Sequence, residues 1–154
     1  MTTSKLLEIL QLGVDNLPFD VSYKIGALTD LELFLSEDEY RLPFIFLQYP
    51  EQSSTQIPFS NASINNHSIT GVVFIDYDVD STDEQRLKAQ IEANNILTRF
   101  VMSLRETKLN DGNWFSNVSV SSTSPLFRQT NGIMAGLGFV IQGTAANLFD
   151  NCCE

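Results

Sequence analysis

The sequence predicts an α+β domain, in which one long helix and an N-terminal helix pack on a mainly antiparallel, four-stranded sheet. Two segments have helical periodicity, four have the composition or alternation of strands, and their order is helix, strand, strand, long helix, strand, strand. The 154 residues fit a single domain, and a domain of that size buries roughly 70% of the surface that its unfolded chain exposes. With 43% hydrophobic residues, we expect a substantial core that needs neither disulfides nor a metal.

The first predicted element is a helix over residues 5–14. Ser4 suits its N-cap, because the serine oxygen accepts a hydrogen bond from the first turn. Residues 21–28 have no clear period, and a second short helix is predicted after Thr29 or Asp30. We interpret the N-terminal stretch as an amphipathic helix rather than a signal peptide, because it has no small-residue cleavage site. The apolar face of the first helix consists of Leu6, Leu7, Ile9, Leu10 and Val14.

Two apolar segments form the first predicted strands. Residues 43–49 have apolar side chains on both alternating faces, which is typical of a strand that is covered on both sides. Residues 72–77 follow the same pattern. Between them, residues 50–68 are polar and are predicted to form a long loop. Long loops in compact domains are usually functional or disordered, so we expect this one either to be mobile or to become ordered against a partner.

The long helix is predicted over about residues 81–106. Ser81 and Glu84 have the spacing of a capping box at its start. Its apolar arc is wider than one packing contact needs, although it includes Gln90 and Asn94. We therefore expect the helix to pack on the sheet and also to contact either the first helix or a neighbouring chain. The arc consists of Leu87, Ala93, Ile96, Leu97, Phe100, Val101 and Leu104, and the polar strip of Lys88, Glu92, Asn95, Arg99, Ser103 and Glu106.

Two more strands complete the prediction. Residues 114–120 alternate, which indicates a strand with one apolar face (Trp114, Val118, Val120) and one polar face (Asn117, Ser119). Residues 125–132 read as a connection that ends in an Asn-Gly turn. The last strand spans residues 133–143, followed by a short C-terminal tail. One of its faces carries Ile133, Leu137, Phe139 and Ile141, whereas Gly136 and Gly138 on the other face permit a close approach to the backbone.

The acidic stretch FIDYDVDSTDEQ at residues 74–85 resembles a calcium loop only in part. Asp76, Asp78 and Asp80 alternate as calcium ligands do. If Asp76 is the first loop position, the required glycine is replaced by Ser81 and the closing glutamate by Leu87. We therefore interpret the stretch as a solvated strand end that leads into a helix, whose first-turn acids complement the helix dipole. No metal site is predicted.

No motif in the sequence indicates catalysis or a bound cofactor. His67 is the one histidine and lies in a polar segment without the signature of an activated nucleophile. A zinc site would need His67, Cys152, Cys153 and a carboxylate to converge, and their spacing fits no known zinc pattern. Adjacent cysteines rarely bridge each other, so we interpret the pair as reduced thiols. The prediction is a non-enzymatic protein with no cofactor.

The charge of the chain limits its partners. A net charge of −10 argues against nonspecific binding of nucleic acid, because such binding needs surplus Lys and Arg. Acids are interspersed among the basic residues of segment 86–108, which indicates a solvated helix face or a contact with an acidic neighbour. No apolar run approaches the ~20 residues of a membrane span. Five of the nine basic residues fall in this segment: Arg86, Lys88, Arg99, Arg105 and Lys108.

Three stretches, in the order of the elements around them, suggest a family. They are PFIFLQY at 43–49, GVVFIDYDVDSTDEQ at 71–85 and NGIMAGLGFVIQG at 131–143. In this arrangement the chain resembles the tail terminator and tail-completion proteins of tailed bacteriophages. The resemblance implies a virion protein that forms a ring, usually a hexamer, on the head-proximal end of the tail tube. It also implies three kinds of partner: further copies of the chain, the tail tube protein and a neck or connector protein.

The resemblance leads to specific expectations. The helix arc and strand 114–120 would face neighbouring subunits, and loop 50–68 would contact the tube or the neck. DNA would only pass through the channel, and an acidic wall suits that passage. The protein would be assembled in the host cytoplasm and reside in the virion. Two alternatives stay open. One is another connector protein of the same virion. The other comes from a different class of protein: a monomeric small-molecule or peptide-binding module, or a hydrolase that uses the acids near Asp76.

Overall fold

The computed structural model describes residues 3–27, 43–49, 51–56, 63–76, 83–110, 112, 114–129 and 134–146. Within these ranges the chain is α+β, as the sequence predicts. Two helices and six strands follow one another in the order α1 (Thr3–Asp15), β1 (Ser22–Gly26), β2 (Phe44–Gln48), β3 (Glu51–Gln56), β4 (Ser63–Asp76), α2 (Asp83–Glu106), β5 (Ser116–Gln129) and β6 (Met134–Ala146).

The sheet is mixed and has more strands than predicted. Its order is β1-β2-β4-β6-β5, and β3 pairs with β4 outside this path. Strand β1 runs parallel to β2, whereas the other pairs are antiparallel. The prediction of four antiparallel strands is therefore correct for β2, β4, β5 and β6 but wrong in number. Strand β1 lies in segment 21–28, whose sequence has no clear apolar period. Most side chains of β1 are half-buried, so the strand needs no continuous apolar face.

Strand β3 overturns the predicted loop at residues 50–68. Residues 51–56 pair with residues 63–68 of β4, and residues 64–68 pair in turn with β6. Strands β2 and β3 follow the same edge of β4, with one extra residue between them: Leu47 pairs with Gly71 and Glu51 with Ser68. Backbone hydrogen bonds to β4 satisfy this polar segment, so a strand forms without any hydrophobic alternation. The rest of the predicted loop lies outside the described residues.

Both helices cover one face of the sheet, and they pack against each other. The contact between them is close at Gly13, where a Cβ atom would lie 2.6 Å from Cδ2 of Leu104. The hydroxyl of Ser103 donates a hydrogen bond to the carbonyl oxygen of Gly13 at 2.7 Å. The predicted contact between the long helix and the first helix is thus confirmed. The core between helices and sheet includes Leu6, Ile9, Leu10, Ile45, Leu47, Val73, Leu97, Phe100, Leu104, Leu137, Phe139 and Ile141.

The opposite face of the sheet is also apolar and buried near its centre. Phe44 and Phe74 stack with their ring centroids 6.2 Å apart, and Phe46 is likewise buried. A Cβ atom at Gly136 would lie 2.8 Å from the carbonyl oxygen of Val73 and 3.2 Å from the Phe74 ring. The prediction that β2 is covered on both faces is confirmed, and so is the close approach at Gly136.

A bulge in β5 overturns the alternation predicted for residues 114–120. Asn117 has a φ of 54°, and the register with β6 shifts between Ser116 and Ser119. Asparagine tolerates this left-handed conformation better than most residues. The extra residue turns Phe115 and Val118 into the core. Trp114 and Val120, predicted to share the apolar face with Val118, are instead exposed.

The bounds of several elements also differ from the prediction. Strand β5 continues through residues 125–129, predicted as a connection, because they pair with β6. Strand β6 extends to Ala146, into the predicted tail. Helix α1 begins at Thr3, so Ser4 lies inside its first turn and is not the N-cap. The predicted partner Ser81 of the capping box lies outside the described residues, and so does the short helix predicted after Thr29 or Asp30.

Candidate subunit-contact surface

The outward side of α2 carries a stripe of exposed apolar side chains. Leu87 is 60% exposed, Ile91 52% and Met102 45%. Leu87 and Ile91 are four residues apart and so share one side of the helix. The assignment of Leu87 to the buried arc is wrong, because it lies about two and a half turns before the buried Ile96, on the opposite side of the helix. The other members of the predicted arc are buried.

A groove adjoins this stripe near the C-terminal half of α2. Its volume is about 820 Å³. Residues of three chain segments meet there: the turn after α1, the start of β2 and the outward side of α2. We name it the Met102 groove, and its walls consist of Phe19, Asp20, Pro43, Glu92, Asn95, Ile96, Thr98, Arg99 and Met102. A second depression of about 350 Å³ shares Arg99 and Met102 with it.

The charges on α2 balance, in contrast to those of the whole chain. The helix contains four acidic and four basic residues, whereas the chain has a net charge of −10. Lys88 Nζ lies 3.7 Å from Glu84 Oε1, and both side chains are mostly exposed. An exposed pair of this kind contributes little to stability. Its two charges can therefore be redirected to a partner at low cost.

The end of α2 is tied to the start of β5. The Arg105 Nε group donates a hydrogen bond to the carbonyl oxygen of Val118 at 2.9 Å. Lys108 Nζ lies 5.3 Å from the centre of the exposed Trp114 ring, a cation–π contact. Beyond this point, residues 119–125 of β5 are exposed on both faces. Strand β5 also forms one end of the strand order. Its exposed residues are polar apart from Val120 and Pro125. Three of the seven exposed large apolar side chains in the described part of the chain lie on α2.

His67 lies in the core and not in a polar loop as predicted. It belongs to β4, where it pairs with Gln52 of β3 and with Gly143 of β6. Its side chain is 2% exposed and meets the Phe115 ring edge-on, with centroids 6.0 Å apart. Its Nε2 atom is buried without a hydrogen bond. Because burial disfavours the charged form, the pKa of His67 is lowered from its ordinary value.

The residues predicted to be unsuited to a metal site are only partly covered by the structure. Within the described ranges, no three His, Cys, Asp or Glu residues lie close enough to hold a metal ion. Asp76 ends β4, whereas Asp78, Asp80, Cys152 and Cys153 lie outside the described residues. The same ranges contain no helix that is both long and apolar enough to cross a membrane.

The Met102 groove is a site that the sequence pattern did not predict. Phe19 and Met102 are far apart in the chain, and only the fold brings them together. A weaker signal is present at Ile91 and Met102, two apolar residues that belong neither to the predicted buried arc nor to the predicted polar strip. Such residues indicate a surface that is covered by something other than the sheet.

No protein-family model matches the chain, and no curated protein matches it.

Proposed function

We propose that the chain is a non-enzymatic virion subunit that assembles as a homo-oligomeric ring and terminates the tail tube of a bacteriophage. The observation that carries the proposal is the exposed apolar stripe of Leu87, Ile91 and Met102 beside the Met102 groove. Exposed apolar surface of this kind is typical of protein–protein contacts. The order of elements, which resembles that of tail terminator proteins, supports the specific role.

The charge distribution supports self-association through α2. Copies that each carry a net charge of −10 repel one another over most of their surface. Helix α2 is formally neutral, so two copies can approach there without a large electrostatic cost. The remaining acidic surface would suit a channel wall along which DNA slides without binding.

The paired extension of the sheet gives the proposed ring a second surface. Residues 51–56 and 63–68 form a polar, antiparallel pair at one end of β4. In the proposed role this strand pair contacts the tube or the neck. The same contact is expected of the predicted loop 50–68. A strand pair is suited to such a contact, because little chain entropy is lost when a preformed structure binds.

Growth of the tail tube provides the test. Purified tube protein would be polymerised with and without this protein, and tube lengths would be measured by electron microscopy. We expect shorter tubes, each with a ring on one end. Unchanged tube lengths, with no density on either end, would reject the terminator role. A ring that binds the neck but leaves tube growth unchanged would favour the alternative, another connector protein of the same virion.

A second candidate function rests on the Met102 groove. Its volume of about 820 Å³ lies within the range of small-molecule sites, and such sites combine apolar walls with a few polar groups. Phe19, Ile96 and Met102 supply the apolar walls, whereas Glu92 and Arg99 supply charges. A monomeric small-molecule or peptide-binding module would use this groove. Saturable binding of a small molecule by a stable monomer would favour this function over the ring.

A further inference from the structure

We infer that neighbouring copies join head to tail through α2, with Leu87 and Ile91 of one copy seated in the Met102 groove of the next. The inference rests on the proposed ring and adds the contact that would form it. We call these two side chains the Leu87–Ile91 pair. They are the most exposed large apolar side chains of α2, and neither lines the groove of its own chain.

The Leu87–Ile91 pair cannot fill the groove of its own chain. The Leu87–Ile91 pair and Met102 are carried by the same continuous helix, with Ile91 and Met102 roughly 16 Å apart along its axis. A rigid helix cannot fold its own N-terminal half into a groove beside its C-terminal half. An exposed apolar pair and an apolar groove therefore occupy separate places on one surface, and a second copy offers each of them a complementary partner.

The charges around the two sites are complementary. Lys88 lies beside the Leu87–Ile91 pair, and the groove carries Asp20 and Glu92. Arg99 in the groove has a matching acid in Glu84, one turn before Leu87. Seating the pair would exchange the weak contact between Lys88 and Glu84 within one chain for contacts between chains. The favoured partner is therefore a second copy rather than a strongly acidic or strongly basic protein.

The pair and the groove are different surface patches of one chain. Used head to tail, the contact between them is heterologous and produces a closed ring when the rotation closes. Used reciprocally across a two-fold axis, the same two patches would join only two copies. The mass of the assembly distinguishes the two arrangements, and a dimer would overturn the head-to-tail contact.

The exposed edge of β5 is a less suitable contact. Edge strands pair with other chains unless prolines or bulges interrupt them. Strand β5 contains Pro125 and three register shifts against β6. These features protect the edge against pairing with another copy.

Two double variants test the inference. One replaces the pair (Leu87→Gln with Ile91→Gln), and the other replaces two groove residues (Phe19→Gln with Met102→Gln). Each should weaken self-association roughly tenfold or more, since truncating the central residues of an interface has effects of this size. Tyr49→Gln is the matched control, because Tyr49 is 54% exposed, close to the exposure of Ile91, and lies outside both sites. Circular dichroism of every variant would confirm that it is folded.

Mixing the two double variants gives the sharpest readout. Each retains one intact site, so the variants should be monomeric alone and form a one-to-one pair when mixed, as measured by light scattering. No complex in the mixture, or variants that assemble as the wild type does, would overturn the inference. Variants that assemble as the wild type does would still be compatible with a ring that forms through a different contact. A wild type that neither assembles nor shortens tail tubes would instead reject the proposed function.

Discussion

The imidazole of His67 is buried beside the Phe115 ring, and its Nε2 atom makes no hydrogen bond in the described part of the chain. Burial holds its pKa below the ordinary value of 6.5. The folded protein therefore favours the neutral ring, whereas the unfolded chain takes up a proton near pH 6.5. Folding must then become less favourable as the pH falls below this value, because the unfolded state binds more protons.

The pH dependence of stability tests the setting of His67. Between pH 7 and pH 5, the free energy of unfolding of the wild type should fall by up to about 1.4 kcal/mol per pH unit through this residue. His67→Leu should have a smaller slope in urea unfolding over this range. No other histidine is present, so the difference between the two slopes isolates His67. Equal slopes would show that the ring is free to be protonated in the folded protein.

Helix α2 has two apolar sides with different tasks. The inner side packs on the sheet and on α1, with Phe100 fully buried. The outer side leaves Leu87 60% exposed. A helix whose apolar residues served only the core would be polar on its outer side.

Alanine substitutions on the two sides of α2 should differ sharply in the free energy of unfolding. Phe100→Ala should cost about 3–5 kcal/mol, because it leaves a cavity in the core. Leu87→Ala should change stability by less than about 0.5 kcal/mol, as exposed substitutions generally do. Urea unfolding at a concentration where the protein is monomeric would measure both. A large loss at Leu87→Ala would mean that this side chain is part of the core.

The elements differ in how far the sequence predicts them. Helix α2 and the core part of β6 follow from apolar periodicity, because each buries one continuous face. Strand β2 follows from its unbroken apolar run, because both of its faces are buried. Strand β3 does not, because backbone pairing with β4 stabilises it and its side chains are polar. The alternation in β5 is misleading, since the bulge at Asn117 changes which side chains face the core. The Met102 groove depends on residues from distant segments, so only the three-dimensional structure reveals it.

At the scale of the whole molecule, charge opposes assembly. Copies with a net charge of −10 repel each other at low ionic strength. Salt screens this repulsion, since the Debye length falls from about 30 Å at 0.01 M to about 8 Å at 0.15 M. The proposed contact through α2 is mainly apolar and should be less sensitive to salt. Self-association should therefore strengthen as salt is added to a dilute buffer.

The acidic stretch after β4 should contribute to this salt dependence. Asp76, Asp78 and Asp80 carry three of the chain's negative charges. Replacing all three with Asn should change the oligomeric mass, or make it less dependent on salt, in sedimentation measurements. If assembly is unchanged at every salt concentration, the stretch serves only as the solvated strand end that leads into α2.

The mass of the native particle tests the ring most directly. Mass photometry of the purified wild type should show a closed oligomer of defined size, with six copies expected from the resemblance to tail terminators. Ile91→Gln should shift the population towards monomer at the same concentration, whereas Tyr49→Gln should leave it unchanged. A wild type that remains a monomer at every concentration, alone and with tail tube protein, would contradict the account.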